Sequence, residues 1–182
     1  MEELIVRHCA PTLAGMKAGS LFGYRFASRS SLLQEVSRCQ ELLKGKGITL
    51  SVVQIQNHRA LIYVYRPNLL RNHWQCPEVR SFMERYGYHT ANPEQAIQIL
   101  TRRLQTQVGF PHEIGLFLGY PFADVQGFIQ NKGKNCKCCG CWKVYCNEQQ
   151  AKQQFERFAK CTQVYCKCFL EGTPISKLAV VA

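Results

Sequence analysis

Cysteine is the residue type best equipped for chemistry in this chain, and its spacing is uneven. Of eleven cysteines, eight fall between positions 136 and 168, and five occupy the thirteen residues "KNCKCCGCWKVYC" from Lys134 to Cys146. Cys136/Cys139 and Cys138/Cys141 form two interleaved C-x-x-C pairs, a spacing that lets a loop present two thiolates to one metal ion. Cys136, Cys138, Cys139 and Cys141 are therefore candidate ligands for zinc, iron or an iron–sulfur cluster. A tidy four-thiolate site would draw its second pair from Cys161, Cys166 and Cys168, which fall in a predicted helix. Helix geometry opposes that: Cys161 and Cys166 stand about 140° apart, and Cys161 and Cys168 lie about 10.5 Å apart along the axis. A cage would have to be built largely inside "CKCCGC". The competing reading is packing, because cysteine is also a small hydrophobe. Between Lys132 and Cys168 there are eight Lys/Arg against two Glu, a field that lowers thiol pKa values and favours reactivity.

Two further blocks carry chemistry-bearing residues. "RHCAPTLAGMKAGSLF" places His8, Cys9 and Thr12 at the end of an expected strand, followed by a Gly- and Ala-rich loop with Lys17. Loops at strand ends commonly hold sites, and Gly15 and Gly19 let backbone N–H groups approach a ligand. Cys9 is a candidate nucleophile for acyl or sulfur transfer, with its base supplied from elsewhere in the fold. The competing reading is a turn in which Pro11 and Gly15 serve only geometry. "FPHEIGLFLGYPFADVQGFIQNKG" puts His112 and Glu113 at a helix start, where Glu complements the helix dipole and His112 is a candidate ligand or general acid/base. Its aromatics, including Phe110, Phe117, Tyr120 and Phe128, form core or line a pocket for a planar cofactor such as haem or flavin. The pair Cys76-Pro77 resembles haem-responsive thiolate sites, but proline at the first helical position accounts for it.

These candidates need elements to position them. Residues 3–26 read as extended, interrupted by "CAPTLAGMKAG". In "SRSSLLQEVSRCQELLKGKG" Leu32, Val36, Cys39 and Leu43 share one helical face, Ser31 with Gln34 resembles a capping box, and Gly45 and Gly47 end the helix. "ITLSVVQIQ-NHR-ALIYVYR" alternates on both sides of a polar link and predicts a hairpin over about 48–66. Beyond Pro67 short helices follow. The helix capped by Asn92, with Pro93 at its first turn, buries Ile97, Leu100, Leu104 and Val108. "CWKVYC" reads as a strand. The final helix carries Ala151, Phe155, Phe158, Thr162, Tyr165 and Phe169 as one stripe. Strands and helices mix without βαβ alternation, so the expected fold is α+β, a mainly antiparallel sheet packed with helices in a single domain over 1–182.

The bulk properties agree with a folded, basic domain. Hydrophobic residues make up 46% of the 182, enough for a core, and 23 Lys+Arg against 12 Asp+Glu give a net charge of +11. That balance favours an anionic ligand, an acidic redox protein or nucleic acid as partner. The start "MEELIVRHCAPTL" lacks a signal-peptide pattern, and no run of about 18 apolar residues occurs, so neither secretion nor a membrane span is expected. A cytoplasmic location with reduced thiols follows, and the odd cysteine count argues against a closed disulfide framework.

"HCAPTLAGMKAGSLF", "FPHEIGLFLGYPFADVQGFIQNKGKN" and "GCWKVYC" resemble the hallmark segments of a small bacterial family, the domain of unknown function numbered thirty-seven ninety-three. The resemblance spans nearly the whole chain. It implies relatives mainly among anaerobic Firmicutes, genes beside those for ferrous-iron uptake and flavodoxin, and hence a role in anaerobic iron or redox metabolism. It implies no activity or catalytic residue. The dense "CKCCGC" run departs from the family's pattern, so a metal cage there would not be a family-wide function. The expectation is an accessory protein that binds a cofactor, metal or anion between the His8–Lys17 loop and the Phe110–Tyr120 segment. Cys9-based catalysis and nucleic-acid binding through the basic C-terminal third are the alternatives.

Overall fold

A computed structural model describes residues 1–107 and 109–181. Val108, assigned to the core from sequence, lies outside the described residues. The fold is built on three strands, β1 (Gly19–Arg25), β2 (Thr49–Gln56) and β3 (Arg59–Tyr65), in the order β1-β3-β2, both pairings antiparallel. The hairpin turns at Asn57 and His58, both at positive φ (46° and 59°), the left-handed pair that matches strand twist in a two-residue loop. Val53 is the extra residue of a bulge in β2, where Val52 faces Ile62 but Gln54 faces Leu61.

Alternation along β3 divides the interior in two. Ala60, Ile62 and Val64 face one core with Phe22 and Leu50, and Tyr63 and Tyr65 face the other with Val53. The first core is covered by α1 (Glu2–Leu13), α2 (Arg29–Leu42) and α9 (Ile175–Leu178), with the C-terminal half of α8 (Glu148–Leu170) at its edge. The second core is covered by α3 (Pro67–Trp74), α4 (Pro77–Arg85), α5 (Pro93–Thr106), α6 (Ile114–Phe117) and α7 (Phe122–Gln130). Cys138–Cys139 (β4) and Lys143–Val144 (β5) form a minimal second hairpin. The architecture is α+β, and no helix among the described residues is long and apolar enough to cross a membrane.

Two local expectations are corrected. Residues 2–13 form α1 rather than a strand. Ile5, Cys9 and Leu13 recur every four residues and are all fully buried, so one helical face docks on the sheet. Pro11 is tolerated because it falls in the last turn, where its lost N–H frees only the carbonyl of exposed Arg7. The start of α2 is capped by Ser28, not Ser31: the Ser28 hydroxyl accepts from Ser31 N, and the Ser31 hydroxyl accepts from Ser28 N, both at 3.2 Å.

Arg66, at the end of β3, is fully buried, and no ion pair forms on it among the described residues. Its guanidinium donates to the carbonyls of Thr12 (2.6 Å), Leu13 (2.7 Å), Lys46 (3.0 Å) and Val180 (2.9 Å). Thr12 and Leu13 end α1, so the cation sits at the negative end of that helix. One side chain therefore clamps α1, the turn before β2 and the segment after α9.

Candidate functional site

Lys17 owes its place to the way α1 ends. The carbonyl of Pro11 accepts from both Met16 N (2.8 Å) and Lys17 N (3.1 Å), Gly15 takes a positive φ of 71°, and Ala18 O accepts from Arg66 N (2.8 Å). This tight turn brings Lys17 Nζ to 5.2 Å from the ring centroid of Tyr120. The approach requires Gly119: its φ is 73°, and a Cβ there would sit 3.0 Å from the Ala18 Cβ.

Asp124 fixes the facing wall. Its carboxylate is nearly fully buried in α7 and is satisfied by donors from the cysteine-rich loop. Oδ2 accepts from the Trp142 indole (2.7 Å), and Oδ1 accepts from Tyr145 N (2.8 Å) and Cys146 N (3.0 Å). Trp142 thus lies between Tyr120 (centroids 5.1 Å apart) and Phe155 of α8 (4.5 Å, edge-on). Lys17, Tyr120, Trp142 and Phe155 form a continuous row.

A cavity opens on either side of that row, with Tyr120, Asp124 and Trp142 common to both. The larger, about 550 Å³, is lined by Lys17, by His73 of α3 and by Asn147, Gln150 and Gln154 around the start of α8. The smaller, about 300 Å³, is largely apolar, between Phe110, His112, Leu118, Phe128 and Cys139. Both sizes fall in the range of small-molecule sites.

The larger cavity is electrostatically uneven. No ion pair forms on Lys17 among the described residues. Burial pushes its amine below the usual lysine range, opposed by the nearby Cys141 and Cys9 thiols. The one carboxylate in the lining, Asp124, has both oxygens engaged by other donors. Burial also lowers His73, partly offset by the nearby Tyr120 backbone, and its Nε2 is withdrawn from water without a hydrogen-bond partner. The Asn147 side chain caps α8 by accepting from Gln150 N (3.2 Å), so the positive end of a 23-residue helix lies at the same wall.

The residues singled out from sequence distribute unequally. Lys17 lines the larger cavity and His112 the smaller, packed edge-on against Phe128 at 4.9 Å. His8 is exposed on α1 and stacks on Phe22, away from both cavities. Cys9 is fully buried, and burial raises its thiol from 9.0 to about 12, against lowering influences from Lys17 and Ser20, so it is a core residue without access to a substrate. Thr12 is equally buried, its hydroxyl 2.9 Å from that of Ser20. Glu113 is a structural anion, 2.9 Å from Arg103 Nε and accepting from the Tyr88 hydroxyl at 2.8 Å. The expected pocket therefore reduces to the two ends of its segments, Lys17 and Tyr120. Sequence reading missed His73, Asp124, Trp142 and Gln150. Only "CWKVYC", with an indole amid cysteines, carried a local signal.

The cysteines do not assemble. All eleven are free thiols, and among the described residues no group of three or more His, Cys, Asp or Glu side chains is placed to hold a metal ion. Cys138 and Cys139 are consecutive in β4 and so project to opposite faces of the hairpin, which splits the interleaved pairs. These residues do not fit a zinc, iron or iron–sulfur cage, and the expectation on Cys136, Cys138, Cys139 and Cys141 is corrected on that ground.

Fold and site together define an α+β domain with a cation-lined cavity backed by an aromatic row. Residues 5–179 match the family described as "Protein of unknown function (DUF3793)", and the chain belongs to that family. Comparison with curated proteins and with solved structures gives no match.

Proposed function

We propose that this protein binds a small anionic ligand in the larger cavity, with Lys17 as the counter-charge. The observation that carries this reading is a half-buried ammonium with no ion pair among the described residues, facing a cavity of about 550 Å³. Withdrawing a charge from water is costly unless something completes it, and here the protein does not. The amide side chains of Gln150 and Gln154 and the first turn of α8 supply further donors to a carboxylate or phosphate. The setting we propose is cytoplasmic, in support of anaerobic iron or redox metabolism as the family resemblance implies. The full set of free thiols supports a reducing compartment.

Calorimetric titration with inorganic phosphate, pyrophosphate, oxalate and citrate at low salt tests the reading. At least one anion is expected to bind with one-to-one stoichiometry. Lys17→Met should weaken it about tenfold or more, the equivalent of a charge-assisted contact of roughly 1.5–3 kcal/mol. The variant should keep its urea midpoint, because no ion pair is lost. Equal binding by the variant, or no binding of any of the four at millimolar concentration, would overturn the proposal.

A further inference from the structure

Resting on that reading, we infer that Lys17 is a nucleophilic amine, and that the cavity takes a small aldehyde or ketone carrying an anionic group. The ligand is held as an imine on Lys17, with His73 moving the proton.

Four observations converge. Lys17 is the one amine in the cavity lining, and its contact there is the face of Tyr120 rather than a carboxylate that would hold it protonated. His73, half-buried, lines the same cavity, and its Nε2 is turned into the protein without a hydrogen-bond partner. Nothing in the fold holds the ring in that orientation through Nε2, so it is free to turn a nitrogen toward a bound molecule. The polar lining from α8 lies in the same cavity, so an acid group and a carbonyl on one small molecule can be engaged together. Finally, the two flanking groups do not compete for the proton. Burial lowers His73, keeping it neutral, and raises Tyr120 to about 12, keeping its phenol protonated.

The chemistry balances without an oxidant or reductant. Lys17 first gives its ammonium proton to the His73 imidazole. The neutral amine attacks the carbonyl carbon, a C–N bond forms, the carbonyl π pair moves to oxygen, and one proton passes from nitrogen to that oxygen, giving a neutral carbinolamine. The imidazolium returns its proton to the hydroxyl, the nitrogen lone pair forms C=N as the C–O bond breaks, and one water leaves. The net change is ammonium plus carbonyl giving protonated imine plus water. Desolvation activates such a lysine, because each unit by which an amine pKa falls raises its neutral fraction at pH 7 about tenfold. The protonated imine keeps the positive charge, so the ligand's anionic group retains its partner.

Borohydride trapping on the full-length protein tests this, with pyruvate, glyceraldehyde 3-phosphate and propanal as probes and peptide mass mapping as readout. An adduct equal to the probe less one oxygen is expected at Lys17, about tenfold above any other lysine. Pyruvate trapping would mark a carboxylate ligand and glyceraldehyde 3-phosphate trapping a phosphate ligand, while propanal should label weakly. Lys17→Arg should abolish the adduct, and His73→Asn should slow its formation. Labelling spread evenly over the lysines would overturn the inference. So would an unmodified Lys17 in protein whose anion binding still depends on it, and that result would leave the binding proposal standing. Loss of Lys17-dependent anion binding with Lys17 still selectively trapped would overturn only the binding proposal.

Discussion

Replacing Asp124 by Ala removes the acceptor for three donors at once, the Trp142 indole and the Tyr145 and Cys146 amides. Hydrogen bonds to a charged group contribute about 1.5–3 kcal/mol each, which sets a gross loss of roughly 4–9 kcal/mol. The indole is only half-buried and can turn to water, and neighbouring losses are not additive, so the expected net cost is about 4 kcal/mol. Against a typical domain stability of about 5–15 kcal/mol, this leaves the variant folded but marginal. With a urea m-value of about 2 kcal/mol/M, the midpoint should fall by about 2 M. The loss should also be local. The chain has two tryptophans, Trp74 in the core and Trp142 at the cavity, so 5-fluorotryptophan labelling gives one ¹⁹F resonance for each. In Asp124→Ala the Trp142 resonance should move and broaden while that of Trp74 stays. Asp124→Asn, which keeps one acceptor oxygen but presents an amide donor to another donor, should fall between. A loss under about 1 kcal/mol with both resonances unchanged would refute the role given to Asp124.

Alkaline pH should destabilise the protein, with Cys9 as one cause. Its folded pKa is raised from 9.0 to about 12, so the unfolded thiol ionises first, and the stabilisation is intact below pH 9 and lost as pH rises toward 12. Cys39, raised by burial to about 11, adds in the same direction. Urea midpoints from pH 8 to 10.5 should fall, and less steeply in Cys9→Val; in native protein iodoacetamide should label Cys76, Cys139 and Cys146 but not Cys9, and rapid labelling of Cys9 would contradict its burial. Arg66→Met should cost about 3 kcal/mol or more in urea unfolding, since it strips the buried Thr12 and Leu13 carbonyls of their charged donor, leaving each only a backbone N–H from Gly15 and Val180, and Arg66→Lys should recover part of that loss; a neutral Arg66→Met would show that the clamp contributes nothing.

Local pattern and tertiary placement explain what was legible in the chain. The hairpin over β2 and β3, the Asn92 cap and the long stripe of α8 are periodic over enough residues to be read directly. In α1 the same four-residue recurrence of Ile5, Cys9 and Leu13 was present, but Pro11 and the glycines beyond it pointed to a loop. That error placed His8, Cys9 and Thr12 at a strand end when they belong to a helix packed on the sheet. Lys17 was accessible to sequence reasoning because the turn that presents it is local. Asp124, Trp142 and His73 were not, since their roles exist only once α3, α7 and the β4–β5 hairpin meet. The cysteine cluster misled for a related reason: spacing in sequence specifies two thiolates on one loop, but β4 turns consecutive residues to opposite faces.

The division of the interior by β3 bears on how the molecule opens. This central strand is paired on both edges and carries side chains into both cores, so exposing its amides to solvent exchange requires dismantling both at once. The cavity lies at the margin of that arrangement, walled by a turn, the short helices α3 and α7, the β4–β5 hairpin and the N-terminal half of α8. Its amides belong to a shallower cooperative unit than those of β3, and an occupant that slows exchange around Lys17, Tyr120 and Trp142 has no cause to slow it in α2. Exchange around the cavity is therefore expected to proceed while the sheet stays closed.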